Sequence, residues 1–240
     1  MMVLAKGLPH IGKSLVSAEI QFAIRLSLYT SIISTMLCLI IAIPVAYSLA
    51  RVEFPLKGIL CTLLEIPLAL PHIVSGFCLL LLFGSTAFGG WLEKLGLSFV
   101  FTTKGIITVQ LFVNLPFMIR VLHSTILSVD RRLEFVARTL GCTPFAAFLK
   151  VTLPLSRNGL IAGTVITWTR ALGEFGGALM IAGATRFRTE TLPVSLFLNL
   201  STGDLDTAMA VANLLIIISV VSLYIFNKLG GKHIGSTESF

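Results

Sequence analysis

Charge is what this 240-residue chain has least of: Asp, Glu, Lys and Arg together make up 12% of it, against 55% hydrophobic residues. A soluble domain carries about 25% charged residues, so a water-facing fold is excluded. The mean hydropathy of +0.95 agrees. Cysteine is also scarce. Cys38, Cys61, Cys78 and Cys142 form no CxxC pair and offer neither a disulfide framework nor a metal site. Nucleophile–base or paired-carboxylate constellations are missing from the apolar stretches, so no catalytic site is expected and the chain does not read as an enzyme. Convincing internal repeats and a polar midplane site are missing too, and both would be expected of a self-sufficient secondary transporter.

Long apolar runs take their place. A spanning helix needs roughly 20 predominantly apolar residues, and five windows qualify, near 22–50, 59–84, 104–127, 157–183 and 207–229. The expectation is an all-α, polytopic transmembrane helical bundle of about five spanning helices. Residues 1–21 form an extracytoplasmic or interfacial segment, 22–229 the transmembrane domain and 230–240 a cytoplasmic tail. The first twenty residues are mildly amphipathic and lack a small-residue cleavage site, so they do not read as a signal peptide.

The net charge of +7 raises nucleic acid as a partner, but the positions of the charges argue against it. Arg51, Lys57, Arg120, Arg131, Arg132, Arg138, Lys150, Arg157, Lys228 and Lys232 gather at or near one set of helix ends. By the positive-inside rule those ends face the cytoplasm. Lys6, Lys13, Lys94, Lys104, Arg186 and Arg188 fall on the other side. An odd number of spans then places the N-terminus outside and the tail inside.

Pro67 and Pro71 predict a kink in the second span, and Asn114 with Pro116 a bend in the third. The fifth should be straight. Trp91 and the phenylalanines around it suit the membrane interface, and the apolar middle of the 184–207 loop suits an interfacial helix. Gly7 to Ser14 formally match the P-loop pattern GxxxxGK[ST]. A P-loop needs a strand before it and a helix after it within an α/β sheet. Only six residues precede Gly7, and no such domain follows.

The most specific stretch is Glu134 to Pro154, EFVARTLGCTPFAAFLKVTLP. Asp130 and Glu134 begin a helix, where carboxylates meet the positive end of the dipole. Leu133, Val136, Ala137 and Leu140 share one face, and Gly141 is a C-terminal stop. Thr143 then Pro144 reads as N-cap followed by first helical residue. Phe145, Phe148 and Leu149 form a second apolar face, ended by Leu153-Pro154. The alternative is an amphipathic loop lying on the membrane surface.

That loop resembles the signature of binding-protein-dependent ABC permeases: an EAA triplet, three residues, Gly, nine residues, Ile, one residue, then Leu-Pro. Counted from Gly141, Ala137, Leu153 and Pro154 match in place. Phe135 and Val136 stand where Glu and Ala are usual, and Val151 replaces Ile. Glu134 lies one residue before the usual acid, as it does in the molybdate permeases the chain resembles. IPLALPHIVSG in span 2 and LPLSRNGLIAGTVITWTRALGEFGGALMIAG in span 4 are similar to the molybdate/tungstate branch, with sulfate permeases close behind. The resemblance covers about residues 25–228.

It implies a type I ABC importer permease working as a dimer with a second copy of itself. It also implies two cytoplasmic ATPase subunits beneath, carrying ATP and Mg, and an extracytoplasmic oxyanion-binding protein above. No cofactor is then expected in this chain, and its place is the inner membrane of a prokaryote. The ATPase-coupling residues would be Glu134, Ala137, Arg138, Gly141, Thr143, Pro144, Leu153 and Pro154.

Arg170 and Glu174 lie within span 4, where burying either charge alone costs about 2.5–3.5 kcal/mol. Their spacing lets them meet on one helix face, and Gly173, Gly176 and Gly177 allow close approach of another helix. With Phe175 they form a candidate gate or dimer contact; a structural ion pair explains the two charges equally well. Gly159 and Gly163 read as intrachain packing. His72 and Asn114 are candidate pathway residues, although His72 reads first as a satisfied core histidine. Glu65 is expected to snorkel or to pair with a loop arginine.

Overall fold

The computed structural model describes residues 16–230, and all regular secondary structure among them is helical. The Gly7–Ser14 match, the N-terminal segment up to residue 15 and the tail beyond Gly230 lie outside the described residues. The helices are α1 (Ala18–Arg51), α2 (Lys57–Ala69), α3 (His72–Ser85), α4 (Ala87–Lys94), α5 (Thr103–Leu127), α6 (Arg131–Thr139), α7 (Pro144–Leu155), α8 (Arg157–Leu172), α9 (Gly176–Ala182), α10 (Leu192–Ser201) and α11 (Leu205–Gly230).

α1 and α5 form the central pair. Lipid tails are as apolar as Leu, so membrane helices associate by close packing of small side chains rather than by hydrophobic exclusion. α1 supplies them. Ser27, Ser31, Ser34, Cys38, Ala42, Ala46 and Ala50 repeat at three- and four-residue intervals and are buried, while Tyr29, Ile32, Met36 and Ile40 point outward. Cys38, Ala42, Ala46 and Ala50 pack with Met118, Ile119, Leu122 and Ile126 of α5. The hydroxyls of Thr30 and Ser34 donate to carbonyls one turn back, which satisfies them without a partner helix.

Among the described residues three helices are long and apolar enough to cross a membrane, α1, α5 and α11 up to Ile225, or four if the bent α2–α3 pair counts as one broken span. The expected span 59–84 is not one kinked helix. α2 and α3 meet at 105°. Pro71 lacks a donor and forces Leu70 into extended backbone (φ −80°, ψ 138°), so the break falls between them. Pro116, by contrast, stays inside a continuous α5.

The expected span 157–183 is also divided. α8 stops at Leu172, and α9 begins three residues after Gly173. Gly173, Gly176 and Gly177 weaken the helix here, and the Glu174 carboxylate accepts the Gly177 N–H (2.9 Å). The two breaks lie side by side. A Cβ on Gly76 of α3 would come 2.5 Å from the Gly177 Cα, a contact only glycine permits.

Gly159 and Gly163 pack within the chain, against Thr125 and Val121 of α5. The outer-loop helix exists as α10, but it does not merely lie on an interface. Its Leu192, Val194, Ser195 and Asn199 are buried, and the Leu192 N–H donates to Ser27 Oγ of α1 (2.7 Å).

Candidate functional site

The 130–155 element is built from local chemistry. Asp130 caps α6 by accepting the Arg132 N–H (2.9 Å). Gly141 ends it at φ +91°, with the Cys142 N–H reaching back to Ala137 O (3.1 Å). Thr143 Oγ1 then accepts the Ala146 N–H (3.2 Å) and Pro144 takes the first helical turn, as the sequence implies. One expectation fails: Leu153-Pro154 does not end α7. A π-helical turn over Phe148–Thr152 absorbs the proline, and the helix runs on to Leu155.

Glu134 holds this element to the bundle. Arg51 Nε lies 2.8 Å from Glu134 Oε1. The Tyr47 hydroxyl donates to Oε2 (3.0 Å), and Thr152 Oγ1 donates to Oε1 (2.6 Å). Arg51 also donates to Val129 O, and Arg131 donates to Ala50 O. Burial alone would push the Glu134 carboxyl up. The hydrogen bonds from Thr152, Arg51 and Tyr47 outweigh it and hold the carboxyl below its ordinary 4.5.

Sequence reasoning missed Tyr47, Arg51 and Thr152. Arg51 registered only as a topogenic charge, and the π turn that aims Thr152 inward has no sequence signal. Phe148 also faces in, its ring tilted against Tyr47 with centroids 4.6 Å apart.

The outer surface of the element is uncovered. Leu133, Phe135, Val136, Leu140, Phe145 and Leu149 are exposed, Leu140 at 81%. Arg132 and Lys150 flank them, and Arg131 and Arg138 line a cavity of about 140 Å³ beside Phe135. Of the expected coupling residues, Ala137 is half-buried and Arg138, Gly141, Pro144 and Pro154 are exposed. Exposed apolar side chains with basic neighbours are the kind of surface that takes a partner.

The second site lies where the two broken spans meet. Arg170 and Glu174 do not pair, because the helix between them ends at Gly173. Arg170 Nε donates to Asn114 Oδ1 (3.2 Å), and its guanidinium sits 4.9 Å above the Phe117 ring. Glu174 is 2% exposed, and its Oε2 lies 2.7 Å from His72 Nδ1. Asn114 donates to Gln110 O (2.8 Å), and Gln110 donates to Ala171 O (2.9 Å).

The candidate pathway residues Asn114 and His72 are therefore the partners of Arg170 and Glu174, the two candidate gate charges. Gly176 packs against Ile73, and Phe175 against Phe197 at 5.5 Å. Gly173 is exposed. Metal-ligating clusters are absent among the described residues.

Similarity to known proteins names the family. Residues 38–234 match the family described as binding-protein-dependent transport system inner membrane component. The chain belongs to this family.

Among relatives, the molybdenum transport system permease protein ModB of Mycobacterium bovis is 36% identical over 214 residues, covering 89% of this chain and 81% of that one. The molybdate/tungstate permease WtpB of Pyrococcus furiosus is 32% identical, covering 95% and 85%. The sulfate permease CysT of Escherichia coli is 31% identical, covering 89% and 78%. A solved bacterial ABC transporter that imports alginate shares the fold at a TM-score of 0.75, with 19% identity over 94% of this chain and 84% of its own. This binding-protein-dependent permease is thus an ABC importer component of the inner membrane, with several membrane passes, and a transporter rather than an enzyme.

Proposed function

We propose that this permease carries molybdate or tungstate, tetrahedral dianions, inward from an extracytoplasmic binding protein. Two copies form the path, and two cytoplasmic ATPase subunits bind α6 and α7. The N-terminus lies outside and the C-terminus inside. The observation that carries this reading is the coupling unit: an exposed apolar surface tied through Glu134 and Arg51 to the central helix α1. A push on α6 reaches α1 through a largely buried ion pair and the Tyr47 hydroxyl bond, and α7 is tied to α6 through Thr152, rather than through a flexible loop. ATP and Mg act on the partner subunits, whose closure moves α6 and α7 and switches the bundle between inward- and outward-facing forms.

The junction of broken spans is the gate in this account. His72–Glu174 and Arg170–Asn114 join α3, α5, α8 and the break between α8 and α9, so their rearrangement opens or closes the path between copies. Identity to ModB and WtpB relatives supports the substrate class. The sulfate permeases keep sulfate as the second reading.

The test is uptake of labelled molybdate by cells carrying the chain with its ATPase and receptor, challenged with excess tungstate or sulfate. Block by tungstate and not by sulfate supports the first reading. Block by sulfate favours the second. Absence of ATP-dependent oxyanion uptake overturns both.

A further inference from the structure

Three ionisable side chains on the membrane-spanning helices have no partner in the account so far. Glu65 projects from α2, and Arg120 and His123 from α5. All three line one shallow depression of about 40 Å³ between these helices, with Cys61 at its edge. Glu65 and Arg120 are exposed on the single chain, and His123 is half-buried. The expected loop-arginine partner for Glu65 is not there: among the described residues, none of the three side chains has a hydrogen-bond or ion-pair partner.

Depth decides what they face. At 1.5 Å per residue, Glu65 sits ~12 Å along α2 from Lys57 and Arg120 ~10 Å back from the end of α5 at Leu127. Unpaired charges at that depth do not rest against acyl chains when water or a partner surface is available. α2 itself buries no residue, so the cleft beside it is open.

We propose that Glu65, Arg120 and His123 line the inner half of the translocation path and give a tetrahedral oxyanion a passing contact on its way to the cytoplasm. This rests on the oxyanion-permease reading above. The guanidinium of Arg120 matches two oxygens of such an anion at once, and the His123 ring adds a second donor. Glu65 offsets part of the positive charge. A path must bind its ion weakly enough to release it, and a carboxylate opposite the arginine keeps the contact weak.

Native Cys61 reports on this directly. In the full chain with its ATPase, in inverted membrane vesicles, Cys78→Ser and Cys142→Ser leave Cys61 as the accessible thiol, since Cys38 is buried. Cys61 is then treated with an anionic and a cationic water-soluble thiosulfonate of equal size. The expected result is modification by both, faster by about threefold or more with the anionic reagent. Arg120→Gln removes that preference and Glu65→Gln enlarges it. Arg120→Gln also lowers molybdate uptake by about tenfold while ATPase co-purification is unchanged.

Reaction of Cys61 only with a lipid-soluble maleimide, or equal rates in wild type and Arg120→Gln, overturns the proposal. Normal molybdate uptake with Cys61 sealed from water sinks this inference alone. A charge preference at Cys61 with no uptake of any oxyanion sinks the substrate reading, and upholds the cluster as the wall of an aqueous anion path.

Discussion

Replacing Glu134 by Gln keeps its volume and removes its charge. Arg51, whose side chain is 8% exposed, is then left beside a neutral amide. Removing one member of a largely buried pair costs about 3–5 kcal/mol. The Tyr47 and Thr152 bonds survive in weakened form, so we place the loss at the low end, about 3 kcal/mol of attachment between α6 and α1.

The consequence is local. The spans still insert, because the α1–α5 contact continues through Cys38, Ala42 and Met118, away from Glu134, but α6 no longer moves with α1. ATP-driven uptake should fall sharply while membrane levels of the chain stay near wild type. A double-mutant cycle with Arg51→Gln measures the pair: a coupling of about 1 kcal/mol or more is expected for residues in direct contact. Additive single effects on uptake would refute the transmission argument.

The pH sense follows from the depressed carboxyl. A group whose folded value is lowered contributes stability that is fully present above its ordinary 4.5 and is lost as pH falls through the lowered value. Attachment of α6 should therefore be insensitive to pH near neutrality and weaken only in acid, which limited proteolysis of the 131–155 element can follow.

Other substitutions probe other parts of the account. Gly141 sits at φ +91° with open space around it, so Gly141→Ala costs about 1–2 kcal/mol of backbone strain and no clash, and Gly141→Asn costs less. ATPase co-purification should rank Gly, Asn, Ala in that order. Gly76→Ala drives a methyl to within 2.5 Å of the Gly177 backbone and should cost about 1–3 kcal/mol, read as lower thermal stability of the purified complex. Glu174→Leu removes both the His72 contact and the acceptor for the Gly177 N–H. It should abolish transport while leaving insertion intact, and normal uptake would remove the junction's gating role.

Local devices were legible in the sequence and long-range ones were not. Asp130, Gly141, Thr143 and Pro144 act within a few residues of themselves, so capping rules placed the turn between α6 and α7 correctly. The partners of Glu134 lie 83 and 87 residues away at Arg51 and Tyr47, and nothing in the spacing of an apolar helix announces them. Thr152 is nearer, but it faces Glu134 only because a π turn rotates the chain.

The pairing of Arg170 with Glu174 failed for a related reason. A four-residue spacing joins two side chains only while the helix continues, and three glycines in five residues let it end between them. The same glycines supplied the close approach that the sequence did suggest, against Gly76 of the other broken span. Pro71 marked a bend, and nothing in the sequence set its size of 105°.

The central claim is that α6 and α7 receive the ATPase. Leu140 tests it most directly, because at 81% exposure its replacement disturbs no packing within the chain. The measurement is ATP-driven molybdate uptake by vesicles reconstituted with the permease, its ATPase and its receptor, comparing wild type with Leu140→Asp. The account predicts that Leu140→Asp folds and inserts normally, loses its hold on the ATPase and transports nothing. Full uptake by Leu140→Asp would contradict it.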